Sequence, residues 1–136
     1  MPPEPGSAAD WIRHARSDLA LAKVERPADA LLEALCFHAQ QAAEKAIKAV
    51  LVRHDVEAPR THSIRALLDL LPSQVDAPPT VVEAAELTEY AVQLRYPGAG
   101  EPVEEDEYAR AVELAETVVR WAQEIIDASP VDSLSS

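Results

Sequence analysis

Residues 36–51 read CFHAQQAAEKAIKAVL. Five alanines, with no glycine or proline, make this stretch a strong helix former. At about 100° per residue, Leu31, Leu32, Leu35, Cys36, Ala39, Ala42, Ala43, Ala46, Ile47 and Val50 share one apolar arc. Its small side chains let a neighbouring helix approach closely. The opposite arc carries His38, Gln40, Gln41, Glu44, Lys45 and Lys48, mixed with Phe37, Leu51 and Val52. Three large apolar groups should not all face water, so this helix is expected to be covered on both sides. The second cover is either a partner subunit or the rim of a cleft.

Prolines divide the rest of the chain into further helical segments. The expected helices span about 7–25, 28–54, 63–71, 79–95 and 104–128. The first opens on a Ser-x-x-Asp capping pattern, Ser7 to Asp10. The short third is capped by Thr61 or Ser63, and the fourth has Pro79 in its first turn. Glu104, Glu105, Asp106 and Glu107 open the fifth, where carboxylates suit the helix dipole. Short connections between successive helices favour antiparallel neighbours. The expected fold is therefore all-α, an antiparallel up-and-down bundle of four longer helices plus one short helix. A single domain spans 7–128, with 1–6 and 129–136 as flexible tails, and the proline- and glycine-rich segment 96–103 reads as the longest and most mobile connection.

The chain has 136 residues and a formal net charge of −12. That balance disfavours sequence-blind binding of duplex DNA, which requires clustered cations. The charge is uneven, however. Residues 45–65 hold Lys45, Lys48, Arg53, Arg60 and Arg65 against Asp55 and Glu57, whereas 83–127 hold twelve acids against three arginines. A positive zone on an acidic body can receive an anion. No run is long and apolar enough to cross a membrane, and the N-terminus has neither the basic nor the apolar part of a secretory signal. A cytoplasmic location is expected. Cys36 stands alone, so no disulfide forms within the chain, and its alanine-rich face implies an inert thiol.

The chemistry-bearing candidates are few. His38, Gln41, Lys45 and Lys48 recur at spacings of three and four and form one polar stripe. Arg95 projects into the apolar arc of the fourth helix, where it must find carbonyls, a carboxylate or a phosphate. Thr88 projects the same way. Lys45 and Lys48 would supply point charges and Arg95 a bidentate fork, with Gln41 beside them and His38 at the edge of the groove. A mononucleotide or a short single-stranded RNA fits such a groove better than a duplex. A solvated face and an internally paired stripe are the plainer alternatives. The four histidines show no metal-ligand spacing, no Ser/His/Asp arrangement can be read, and no cofactor is expected.

WIRHARSDLALA, FHAQQAAEKAIKAVL, PRTHSIRALLDLL and YAVQLRYPG, taken together, resemble the HEPN domain. The most specific pieces are Gln40-Gln41-Ala-x-Glu44-x-x-x-Lys48, Arg60-Thr61-His62 and Arg95-Tyr96-Pro97. The resemblance implies a helical bundle that dimerises side by side and pairs with a minimal nucleotidyltransferase, as in toxin–antitoxin operons. Many members resemble metal-independent RNases that use Arg, four to six residues, then His. No arginine here is followed by histidine at that spacing. The likeness is therefore to the Arg-Tyr-Pro branch, for which a nucleotide-binding or partner-binding module without catalytic residues is expected. An RNase using His38 or His62 as acid or base, with Arg95 stabilising the phosphorane, is the alternative.

Overall fold

The computed structural model describes residues 2–25, 29–95 and 102–135; the side chains of 92–95 and 129–135 lie outside that description. Six α-helices are described: α1 Ala8–Ala22, α2 Leu32–Arg53, α3 Ile64–Leu68, α4 Pro79–Val82, α5 Thr88–Arg95 and α6 Glu105–Ser135, with a 3₁₀ segment, Glu83–Leu87, between α4 and α5. There is no strand among the described residues, and the fold is the expected all-α bundle.

The central helix is α2, flanked by α1 and α6, with α5 and α3 closing against it. Its alanines 39, 42, 43, 46 and 49 are fully buried, as are Ile47, Val50 and Leu51. The second cover of α2 therefore comes from its own chain. Leu51, for which a partner subunit or the rim of a cleft was the expected cover, lies in the intramolecular core, while Phe37 and Val52 stay partly exposed.

The caps follow from local chemistry. Ser7 accepts from the Asp10 backbone N–H at 3.1 Å, and Asp10 returns a bond to the Gly6 N–H at 3.1 Å. Gly6 sits at φ +80°, a conformation that glycine adopts without strain. Ser63, rather than Thr61, caps α3 by accepting from Ala66 N–H, while Thr61 accepts from Ser63 N–H.

Three boundaries differ from expectation. The long helix begins at Leu32 and not near Ala28 (which lies outside the described residues), because Leu31 at the N-cap offers no capping side chain. The fourth helix is broken by the 3₁₀ segment. Its buried positions, Val81, Ala84, Leu87 and Tyr90, recur every three residues; a 3₁₀ geometry with three residues per turn keeps that file on one line. The last helix continues past Ala128 to Ser135; Pro130 removes one donor, but its fixed φ is already helical. The segment 96–101, at the expected mobile connection, lies outside the described residues.

Candidate functional site

The polar stripe of α2 divides into two carboxylate-centred networks. The first is centred on Asp18 of α1, a buried residue that falls on the helix face carrying Trp11, Ala15 and Ala22. Its Oδ1 lies 3.0 Å from His38 Nδ1 and its Oδ2 accepts from Lys45 Nζ at 2.7 Å. One carboxylate thus takes both members of the i, i+7 file on α2.

The second network is centred on Glu44, only 3% exposed. Its Oε2 accepts from Lys48 Nζ at 2.9 Å. Its Oε1 accepts from Gln40 Nε2 at 3.0 Å, Gln41 Nε2 at 3.2 Å and His62 Nδ1 at 2.9 Å. Gln40 also donates to the His62 carbonyl, and Gln41 donates to Gln40 Oε1. Gln40, Glu44 and Lys48 form an i, i+4 file, so helix geometry alone aligns three of the members. Gln41 lies beside this file on the same helix, and His62 arrives from the loop before α3. Lys48 is 6% exposed, and its ammonium lies 5.4 Å from the Trp11 ring centroid, a cation–π distance. No buried side-chain nitrogen or oxygen lacks a hydrogen-bond partner among the described residues.

Burial pushes the Glu44 carboxyl up, but hydrogen bonds from Lys48, His62 and Gln40 outweigh it and hold the group below its ordinary value. The carboxylate is ionised, and charge-assisted bonds of this kind are the strong ones. The Glu44–Lys48 pair is thus a buried ion pair, with side chains 4% and 8% exposed.

The structure therefore brings Gln41 and Lys48 together around Glu44, and His38 and Lys45 around Asp18. The Arg95 side chain lies outside the described residues; its backbone ends α5. Thr88, at the start of α5, accepts from the Ile64 N–H at 3.0 Å and thereby ties α5 to α3. One participant, Asp18, and one pairing, that of His62 with Glu44, escaped the sequence reading. Asp18 stands among apolar residues on α1, an acid on an inward face, and that placement was the available signal. The union of His62 with Glu44 depends on how the loop folds back, which periodicity does not encode.

The His62 side chain remains half exposed, at 50%. With Nδ1–H donated to Glu44, Nε2 is the ring nitrogen on the solvent side, a donor to an anion when the ring is protonated and an acceptor when it is neutral. Arg60 and Arg65 flank it in sequence, are exposed, and make no ion pair among the described residues. No group of three or more metal-ligating side chains is assembled among the described residues.

Comparison with known proteins identifies the family. The HEPN domain model matches residues 8–126. The crystal structure of a Thermus thermophilus protein superposes with a TM-score of 0.76 at 33% identity, covering 88% of this chain and 98% of that one. The crystal structure of an archaeal HEPN homologue gives 0.69 at 29% identity, with the same coverage. No curated protein matches. The chain belongs to the HEPN domain family.

Proposed function

We propose that this chain is a nucleotide-binding or partner-binding module without catalytic residues, acting as a cytoplasmic homodimer beside a minimal nucleotidyltransferase in a toxin–antitoxin-like pair. One observation supports the anion-binding part of this reading. His62 is half exposed on a buried glutamate, flanked in sequence by the exposed Arg60 and Arg65, which have no ion pair among the described residues. Lys45 and Lys48 are already paired with carboxylates. The accepting end of the stripe is accordingly the His62 end, with Lys48 and Gln41 acting through Glu44, and His38 and Lys45 serving as the wall beside it. Arg95, whose backbone ends α5, is the residue proposed to supply a bidentate fork.

Titration calorimetry with a mononucleotide tests the proposal. Binding is expected to weaken with salt and to fall on Arg60→Ala, His62→Ala or Arg95→Ala, with the oligomer retained. Absence of heat with every nucleotide, together with failure to co-purify a nucleotidyltransferase, overturns it.

The Glu44–His62 pair favours a second reading, a metal-independent RNase. A buried carboxylate orients the imidazole, and Nε2 is left to take a proton from a ribose hydroxyl. Cleavage of a labelled single-stranded RNA by the wild type, lost on His62→Ala, would select this reading. An intact substrate would remove it.

A further inference from the structure

A separate cleft of about 250 Å³ opens at the C-terminal end of α2. His54, Gln74, Asp76 and Trp121 line it, over an apolar wall that includes Val75 and Ile125. The polar lining is rich in acceptors. His54 Nδ1 lies 3.0 Å from the Val50 carbonyl, which can only accept, so Nδ1 carries a proton and is turned to the backbone of α2. Asp76 offers a carboxylate and Gln74 an amide oxygen. The Trp121 indole N–H is donated to the Asp76 carbonyl at 3.1 Å, which anchors the ring to the loop at the edge of the cleft it lines. No lysine or arginine is among the described lining residues. Arg120, the neighbour of Trp121, lines a different groove with Arg16.

We propose that this cleft receives the guanidinium of an arginine carried by a partner polypeptide. A lining that combines an indole with a carboxylate suits a planar cation, which can stack and fork at once; an ammonium supplies only a point charge. The volume suits one long side chain. The net charge of −12 draws cationic segments, and a peptide-borne arginine brings no α-carboxylate to lie against Asp76, so the arginine is peptide-borne and not the free amino acid. The site stands apart from the His62 network and does not depend on it.

Proton–nitrogen correlation spectra of the full chain, with the two indole signals assigned by Trp121→Phe, test this directly. The blocked peptide acetyl-Gly-Arg-Gly-amide is expected to shift the Trp121 indole signal saturably and leave that of Trp11 in place. Asp76→Asn, an exchange on an exposed loop that keeps the backbone carbonyl, is expected to weaken binding about tenfold. The lysine peptide and free arginine should bind several-fold more weakly. An unmoved Trp121 signal, equal binding of the lysine peptide, equal binding of free arginine, or an Asp76→Asn variant with full affinity would each overturn the proposal.

Discussion

Glu44 shows how one buried acid can decide the meaning of a whole stripe. A carboxyl held below its unfolded value contributes stability that is complete above that value and lost as pH falls through the folded one. The unfolded value is near 4.5. The protein is therefore expected to lose stability on acidification below about pH 4.5, and Glu44→Gln should flatten that acid limb; denaturant midpoints measured across pH 3–7 check it, about the range over which carboxyls titrate. Cys36 makes a second residue-scale case. Burial, followed by the charges of Glu107 and Glu33, pushes its thiol up to about 12. Alkylation by iodoacetamide at neutral pH should be negligible for the folded chain and complete in denaturant. Rapid labelling of the native protein would contradict the buried thiol.

Among the elements, the broken fourth helix is the most instructive. Thr88 was legible as a polar residue on an apolar arc, but its partner, the Ile64 N–H, became visible only once α3 was placed against α5. Ile64 is fully buried, so Thr88→Val should leave its donor unpaired and cost about 1–3 kcal/mol in urea denaturation. Thr88→Ser should restore most of that loss. The alanine face of α2, the Ser7 cap and the inert cysteine were readable because helical period and capping are local rules. The 3₁₀ segment was readable in principle, from Val81, Ala84, Leu87 and Tyr90 at intervals of three, but the eye tuned to 3.6 passes over it. The candidate site was only half legible: the stripe showed itself, while Asp18 and His62, which determine its charge state, come from other parts of the fold.

At the scale of the whole molecule, the covering of α2 by its own chain changes where a second copy would dock. Leu51 is removed from any interface, whereas Leu21, Val24 and Leu31, 47%, 50% and 62% exposed, cluster in sequence around the α1–α2 connection. A homodimer through that region is predicted to sediment at twice the chain mass at micromolar concentration and to dissociate on Leu31→Asp. A wild type that sediments as a monomer contradicts the proposed assembly. The central claim is that α2 carries an internally paired electrostatic framework that presents His62 at its solvent end. A double-mutant cycle by urea denaturation between Glu44→Gln and Lys48→Met tests it most directly. Coupling of about 0.5–3 kcal/mol is predicted for residues in one network, whereas effects that add to within roughly 0.3–0.5 kcal/mol would mean that the two side chains act independently and that the framework does not exist.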